Sequence, residues 1–266
     1  MASRTILLDV GGTFIKCSDG REIPIDSNGS REEIASSLHA AVCGGPEGVP
    51  EQAAVAIPGP FDYKNGIFLM KHKFAAVYGE RFVRLAGLSG EARFLHDVNA
   101  MLLGEMTAGN GRRYRRVALV TLGTGLGFSM SIDGEILNNE NGSPRFSAWN
   151  LPWKDGILED YASKRGFLRG YEGISVKTLA EMARGGDTAA AGRFREVGCT
   201  LATALSPLLA QSDIECLLFG GQISRSFDLF GPAVHEHLSG TGCVKHIGPV
   251  SDISNATFNG LKALYR

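Results

Sequence analysis

The chain has 266 residues, of which 44% are hydrophobic and 21% charged, and its formal net charge is -1. This length suits one large or two ordinary domains, and the near-neutral charge argues against nucleic acid or an anionic membrane as a partner. No apolar run approaches the roughly 18 residues of a membrane span, and no signal-peptide pattern precedes the first strand-like run. Five scattered cysteines lack the spacing of a zinc cage or a disulfide framework. We therefore expect a globular protein of the reducing cytoplasm.

The first half of the chain alternates apolar strand-like runs with helix-like runs. Ser30 and Glu33 form a capping-box pattern that predicts a helix start, and Asn65-Gly66 predicts a hairpin turn. In chain order the predicted elements are strands at 4–9, 13–18 and 21–26, a helix from Ser30, a strand at 53–57, the hairpin, a short helix at 80–85, a strand at 92–96 and a helix at 99–108.

The second half repeats this order after residue 116. Its predicted elements are strands at 117–123 and 127–132, a third strand after Asp133-Gly134, an irregular stretch at 138–155, helices at 157–164, 176–184 and 188–210, a strand at 214–219, a helix, a strand at 244–247 and a helix from Asn255. Two similar α/β domains with a ligand between them are therefore expected, at 1–112 and 113–253, with the helix 254–266 a candidate to pack back on the first domain.

Two glycine turns occupy the same place in both halves, between the first two strands. They are "DVGGT" at 9–13 and "TLGTGLG" at 121–127. Each turn offers consecutive backbone N–H groups and a threonine hydroxyl, which together can surround phosphate oxygens. Asp9, at a strand end, could hold Mg²⁺ through water. A plain hairpin turn is the alternative for either loop alone, but two loops at equivalent positions favour phosphate binding.

Other nucleotide-binding patterns do not fit. The chain contains no GxxxxGK[ST] sequence, which excludes a P-loop site. The "GTGLG" turn joins two strands and does not open a helix, which argues against a dinucleotide-binding fold.

The two loops and the later "LLFGGQIS" at 217–224 resemble the two phosphate motifs and the adenosine motif of actin-like ATPases. Within that superfamily, "AIPGPFD" at 56–62 and "HDVNAMLLGEMTAG" at 96–109 resemble the ROK sugar kinases. The resemblance implies an α/β protein of duplicated actin-like (ribonuclease H-like) domains with a central nucleotide and sugar cleft. It also implies ATP and Mg²⁺ as cofactors, a sugar as the acceptor and, since relatives are often dimers, it allows a homodimer.

The resemblance also assigns roles to residues. Asp97 would be the general base that accepts the proton of the attacking sugar hydroxyl, although an aspartate at this position could instead cap the helix that follows. Gly59, His96, Asn99 and Glu159 would contact the sugar, but His96 could also be a hydrogen-bonded core residue and Glu159 an exposed helix residue. The expected ATP-binding residues are Gly11, Gly12, Thr13, Gly123, Thr124, Gly125, Gly127, Gly220 and Gly221.

Departures from the family pattern concentrate on the sugar side. His96 replaces the usual Asn before the catalytic Asp, and Phe14 replaces the Lys or Asn common after Gly-Gly-Thr. The usual "GEIGH" segment has no clear counterpart in 138–155, and the cysteine-rich motif is missing, so no structural zinc is expected. Residues 71–73, "KHK", could face an acidic or unusual sugar or form a solvated loop.

Two functions remain open at this stage. One is an ATP-dependent kinase whose acceptor is not simply glucose. The other is a catalytically inactive sensor or regulator of the same family that binds sugar or nucleotide without turnover.

Overall fold

The computed structural model describes residues 4–45, 48–240 and 242–265. Its strands are β1 (Thr5–Val10), β2 (Phe14–Cys17), β3 (Glu22–Pro24), β4 (Gln52–Ile57), β5 (Phe61–Asp62), β6 (Ile67–Phe68), β7 (Glu91–His96), β8 (Arg116–Leu122), β9 (Leu126–Ile132), β10 (Glu135–Ile136), β11 (Pro152–Trp153), β12 (Gly156–Ile157), β13 (Cys216–Gly220) and β14 (His246–Pro249).

The α-helices are α1 (Arg31–Cys43), α2 (Phe82–Ala86), α3 (Asp97–Ala108), α4 (Leu158–Ala162), α5 (Lys164–Phe167), α6 (Val176–Arg184), α7 (Thr188–Gln211), α8 (Phe227–Leu238) and α9 (Ala256–Ala263). Among residues 4–45, 48–240 and 242–265, no helix combines the length and apolar character needed to cross a membrane.

The chain divides into two compact units. Unit 1 comprises Met1–Thr107, Asn138–Pro144 and Asn255–Arg266, and unit 2 comprises Ala108–Leu137 and Arg145–Ser254. The division thus lies close to the predicted boundary near residue 112, but a short piece of the irregular stretch belongs to unit 1.

Each unit is built on a five-stranded sheet with the same strand arrangement. The orders are β3-β2-β1-β4-β7 in unit 1 and β10-β9-β8-β13-β14 in unit 2. In each sheet, the three strands that come first in the chain form an antiparallel meander. The other two strands pair in parallel, one with the first strand of the meander and the next with its neighbour. The predicted duplication of an α/β unit is therefore confirmed.

Helices cover both faces of the sheet in unit 1, because successive side chains of a strand point to opposite faces. Leu8 and Val55 lie in one core with Ile34 and Leu38 of α1. The alternate residues, such as Ala54, lie in a second core with Ala100 of α3 and Leu261 of α9.

Helices α3 and α9 approach each other through glycines. A Cβ placed on Gly104 would lie 1.9 Å from the carbonyl oxygen of Ala256, and one placed on Gly260 would lie 1.8 Å from that of Ala100. No side chain fits at either position, so the two helix backbones are in direct contact. Helix α9 thereby holds α3 against the sheet of unit 1.

Short sequence patterns predicted the start of a helix and the position of a hairpin correctly. Ser30 caps α1, and both hydrogen bonds of the predicted box with Glu33 are present. The hairpin β5–β6 turns through Gly66, whose φ of 69° is one that side chains disfavour. Helix α3 begins at Asp97, two residues earlier than predicted, and the side chain of Asp97 accepts a hydrogen bond from the N–H of Val98 at 2.8 Å.

Candidate functional site

The carboxyl ends of β1, β4 and β7 lie at one edge of the sheet in unit 1, where parallel α/β sheets commonly bind ligands. Asp9 pairs with Ala56 across β1 and β4, and Ile57 pairs with His96 across β4 and β7. The next residues along the chain are the first glycine loop, Pro58-Gly59 and Asp97. The fold therefore brings three of the predicted motifs to the same edge.

The first glycine loop, residues 11–13, is a tight turn held by its neighbours. The Gly11 N–H donates to the carbonyl of Phe14 at 2.9 Å, and a Cβ on Gly11 would lie 3.0 Å from that same oxygen. The carbonyls of Gly12 and Thr13 accept hydrogen bonds from the backbone of Ser27 and Ile25. The loop is thus anchored through its carbonyl oxygens.

Asp97 lies at the start of α3 with 41% of its side chain exposed. Desolvation by the surrounding protein raises the pKa of its carboxyl group, but His96, the N–H of Val98 and Lys73 lower it by more, so the net pKa is below the usual value. Asp97 is therefore ionised at neutral pH and can accept a proton.

The pKa of Asp9 is shifted in the opposite direction, above its usual value. Desolvation, followed by the negative charge of Asp97, raises the pKa of Asp9 to about 6, although Lys16 opposes the shift. The negative charge of Asp97 thus disfavours ionisation of Asp9, and a cation beside the first glycine loop would relieve this repulsion.

His96 contacts both Asp97 and the backbone predicted to approach a sugar. Its Nδ1 lies 2.8 Å from Oδ1 of Asp97. A Cβ placed on Gly59 would lie 3.4 Å from the ring of His96 and 3.3 Å from the hydroxyl of Ser143. Tyr63 completes this group, with its ring centroid 5.9 Å from that of His96 and its hydroxyl donating to the carbonyl of Ile57 at 2.9 Å.

Asn99, also expected to contact a sugar, is fully buried. Its amide nitrogen donates to Oδ1 of Asn138 at 2.7 Å and to the carbonyl of Gly142 at 3.2 Å. These bonds join helix α3 to the segment 138–144, which also supplies Ser143 beside Gly59. Both of these hydrogen-bond partners of the Asn99 amide nitrogen therefore lie within unit 1.

The second glycine loop, residues 123–125, lies in unit 2 and is supported from the region of α4 and α5. The Gly123 N–H donates to the carbonyl of Gly125 at 3.0 Å, and the Gly123 carbonyl accepts from the N–H of Lys164 at 2.9 Å. Thr124 is exposed at the tip of the turn, and Gly127 lies within β9 opposite Thr121.

Glu159 contacts this loop. Its carboxylate accepts hydrogen bonds from the N–H of Leu126 at 2.9 Å and from Arg165 at 3.0 Å. A Cβ on Gly125 would lie only 2.7 Å from Oε2 of Glu159. Glu159, expected to contact a sugar, is thus bonded to the backbone of the loop in unit 2.

The glycine pair after β13 adjoins the same loop. Gly220 is the last residue of β13 and pairs with Thr121 of β8. Gly221 has a φ of 80°, and a Cβ there would lie 2.3 Å from the carbonyl of Leu122. Only glycine allows this close approach of the two backbones.

Four contributors to these sites were missed at the sequence level: Ser27, Tyr63, Ser143 and Arg165. Ser27 and Ser143 lie in loops and carry no motif, and Arg165 is one of 27 basic residues. The nearest signal for Ser143 was the irregular stretch itself, since loops without regular structure often serve binding.

Within the described ranges, no group of three or more His, Cys, Asp or Glu side chains is arranged to hold a metal ion. A single carboxylate remains compatible with Mg²⁺, which usually binds through one or two carboxylates and the phosphates of a nucleotide. Asp9 meets that requirement, because its buried negative charge favours a nearby cation.

Comparison with known proteins identifies the family. The model of the ROK family matches residues 8–144. The chain is 28% identical to a glucokinase from Thermotoga maritima over 85% of this chain and 73% of that protein. It is also 28% identical to an N-acetyl-D-glucosamine kinase from Pectobacterium carotovorum, over 54% of this chain and 55% of that protein.

Solved structures agree on the fold. A ROK family glucokinase from Streptomyces griseus, in complex with glucose and AMPPNP, superposes with a TM-score of 0.81 at 23% identity over 98% of both chains. A putative N-acetylmannosamine kinase from Listeria monocytogenes superposes with a TM-score of 0.79 at 18% identity, over 97% of each chain. The chain belongs to the ROK family, and its duplicated actin-like fold is that of the ROK sugar kinases.

Proposed function

We propose that this protein is a sugar phosphotransferase that moves the γ-phosphoryl group of ATP to a hydroxyl group of a sugar, with Asp97 as the general base. The observation that carries the proposal is the position of Asp97, an ionised carboxylate at the ligand-binding edge of the sheet in unit 1. It shares that edge with the glycine loop at 11–13 and with Asp9. The class of enzyme is further supported by the family and by relatives named as glucokinase and N-acetyl-D-glucosamine kinase.

The chemical step needs little covalent help from the protein. The sugar hydroxyl gives its proton to Asp97 as its oxygen bonds to the γ-phosphorus. The bond between that phosphorus and the bridging oxygen breaks, and ADP leaves with the bonding electrons. The pKa of Asp97 lies below its usual value, so the carboxylate is present at neutral pH without a prior deprotonation.

The two glycine loops would hold the phosphates through backbone N–H groups other than those of Gly11 and Gly123, which donate to the carbonyls of Phe14 and Gly125. Carbonyl groups in both loops accept hydrogen bonds from the protein. The carbonyl of Gly12 accepts from the N–H of Ser27, and that of Gly123 accepts from the N–H of Lys164. Gly220 and Gly221 would lie against the adenosine, as the resemblance implies. Asp9 would hold Mg²⁺ through water, and the ion would neutralise charge on the phosphates.

The sugar-side roles are divided between direct contact and positioning. Gly59 and His96 would contact the sugar, because the backbone of one and the ring of the other lie together beside Asp97. Asn99 would act indirectly by holding the segment 138–144 in place. Glu159 would act indirectly by fixing the second phosphate loop.

The first test is ADP release with MgATP and a panel of hexoses, N-acetylated hexosamines, ketoses and sugar acids. Wild type is compared with Asp97→Asn and with Glu32→Gln, a control that removes an exposed carboxylate from the same unit. We expect turnover with at least one sugar, a loss of about 10²–10⁴-fold in kcat for Asp97→Asn, and no loss for Glu32→Gln.

Two results would contradict the proposal. One is the absence of sugar-dependent ADP release from wild type across the panel while nucleotide still binds, which would favour the sensor. The other is an Asp97→Asn variant that turns over as fast as wild type.

A further inference from the structure

The side chain of Lys73 lies over the first glycine loop. Its Cδ and Cε atoms are 3.9 Å from the position that a Cβ on Gly12 would occupy. Lys73 is partly buried, whereas the two residues before it, Lys71 and His72, are exposed. Of the three residues of the "KHK" stretch, Lys73 is the one that the structure brings to the loop.

Backbone hydrogen bonds connect the Lys73 segment to the loop. The N–H of Phe74 donates to the carbonyl of Ser27 at 2.6 Å, and the N–H of Ser27 donates to the carbonyl of Gly12 at 3.1 Å. Ser27 therefore joins the residue after Lys73 directly to the glycine loop. Any displacement of the Lys73 backbone would disturb this connection.

Phe74 fixes the segment further. It has a φ of 52°, a left-handed conformation that bulky residues rarely adopt. Its ring is fully buried and packs on Phe68 with centroids 5.5 Å apart. Such a conformation persists only where the surroundings determine it, and it often marks a functional position. The backbone that carries Lys73 is thus held by core packing.

The charge of Lys73 acts at the proposed catalytic centre. It is one of the groups that lower the pKa of Asp97. The close charged partner of Asp97 is His96, whose Nδ1 lies 2.8 Å from Oδ1, and Lys73 acts on Asp97 in addition to it. The residues from Asp9 to Phe14 include no basic side chain, and the nearby Lys16 lies opposite Asp9 in the register of β1 and β2, where its charge acts on Asp9. Lys73 is therefore the cation best placed for an anion that lies on the loop beside Asp97.

We propose that Lys73 is a catalytic residue whose ammonium group binds the transferred phosphoryl group and neutralises the charge that it develops between ADP and the sugar oxygen. This inference rests on the proposed kinase function and adds to it a residue that the family resemblance did not assign. A positioned cation at a phosphoryl group stabilises the transition state more than the ground state. The expected effect is therefore on kcat and much less on the KM of the sugar.

The kinetic test compares Lys73→Met and Lys73→Arg with Lys71→Met, a control for a neighbouring lysine that lies over the ring of Tyr78. We expect kcat to fall on the order of 10²–10³-fold in Lys73→Met, with partial recovery in Lys73→Arg and no loss in Lys71→Met. A rise in the KM of acidic sugars with kcat unchanged would overturn the proposal, because Lys73 would then bind the acceptor.

A binding test separates this inference from the proposed function. MgADP with aluminium fluoride, which imitates the transferred phosphoryl group, is titrated calorimetrically into wild type and Lys73→Met, and MgADP alone is the reference. We expect the fluoride complex to bind at least tenfold more weakly to Lys73→Met, with MgADP unchanged. Equal binding of the fluoride complex by both proteins overturns the role of Lys73, even if the wild type is an active kinase.

If the wild type turns over no sugar, the proposed function fails while the binding comparison still decides whether Lys73 contacts a phosphoryl group. Thermal melting of each variant shows whether the fold is retained. Should Lys73→Met unfold, Lys73→Gln, which also removes the charge, takes its place in both tests. A folded Lys73→Gln with the kcat and the fluoride-complex affinity of wild type overturns the proposal.

Discussion

Nδ1 of His96 lies 2.8 Å from Oδ1 of Asp97, so the imidazole and the carboxylate form a hydrogen-bonded pair at the ligand edge of unit 1. An ionised carboxylate can only accept a hydrogen bond, so Nδ1 is the donor and Nε2 is the remaining ring nitrogen. The pair stabilises the ionised form of Asp97 against the effect of burial. His96, a departure from the family pattern, is thus coupled to the residue proposed to act as the base.

The pH dependence of activity tests this coupling. Replacing His96 with Asn removes a group that lowers the pKa of Asp97, so the pKa of Asp97 should rise and the acid limb of kcat/KM should move to higher pH. The measurement is kcat/KM from pH 3 to 8 for His96→Asn, for wild type and for His72→Asn as an exposed histidine control. An unchanged acid limb in His96→Asn would show that His96 does not set the protonation of the base.

Asp9 is predicted to reduce stability at neutral pH. Its pKa is about 6 in the folded protein and 3.8 without the fold, so the unfolded chain releases this proton at lower pH. The contribution of Asp9 to stability therefore falls as the pH rises from about 4 to 6 and stays low above that. The shift of about 2 units corresponds to at most about 3 kcal/mol.

The Asp9→Asn variant should consequently melt at a higher temperature than wild type at pH 7, with the difference vanishing near pH 4, while MgATP-dependent turnover is lost. Thermal melts at both pH values without nucleotide are the measurement. A variant that is less stable than wild type by the same amount at both pH values would contradict the assignment of buried negative charge to Asp9.

The second phosphate loop depends on the absence of a side chain at Gly125. A methyl group there would force Oε2 of Glu159 away from its 2.7 Å position, and the hydrogen bond to the N–H of Leu126 would break. We expect Gly125→Ala to lower the free energy of unfolding by about 1 kcal/mol and to raise the KM of ATP. Gly123→Ala is the control for stability, since a Cβ there meets nothing within 4 Å.

A double-mutant cycle with Glu159→Ala identifies the cause. If the clash with Glu159 is responsible, Gly125→Ala should lower the free energy of unfolding only slightly in the Glu159→Ala background. Additive losses in chemical unfolding would instead point to the backbone of the loop itself.

Helix α3 should be sensitive to any side chain at its contact with α9. Gly260→Ala places a methyl group 1.8 Å from the carbonyl oxygen of Ala100, and neither backbone can move without separating the helices. We expect a loss of about 3 kcal/mol or more in the free energy of unfolding. Gly240→Ala, where a Cβ meets nothing within 4 Å, is the control in urea titrations. Equal midpoints for the two variants would show that α9 does not pack on α3 as described.

Elements defined by neighbouring residues could be predicted from the sequence. The capping box of Ser30 and Glu33 and the hairpin at Gly66 follow from backbone preferences over a few residues, and both are present. The duplicated order of strands followed from apolar runs and glycine turns. Contacts between distant segments could not be predicted in this way, because nothing in the pattern around Ser27 indicates that it joins Gly12 to Phe74.

The candidate site shows the same limit. Asp97 was predicted because it belongs to a motif, whereas the sequence left Lys73 open between a sugar contact and a solvated loop. The fold brings Lys73 to Gly12. Glu159 was assigned by a short match to a sugar contact, but its carboxylate is bonded to Leu126 and Arg165. Side-chain roles that depend on a partner more than 30 residues away require the fold, since the sequence signal for them is absent.

The packing of α9 on α3 also fixes an order of events during synthesis. Residues 256–263 are translated after all of unit 2, so the ribosome has already produced residues 145–254 before the helix that completes unit 1 becomes available. Until then the apolar face that includes Leu7, Ala54 and Ala100 lacks its cover from Leu261. The larger part of unit 2 can thus fold first, and the nascent first unit would expose this face to chaperones or to other chains for most of its synthesis.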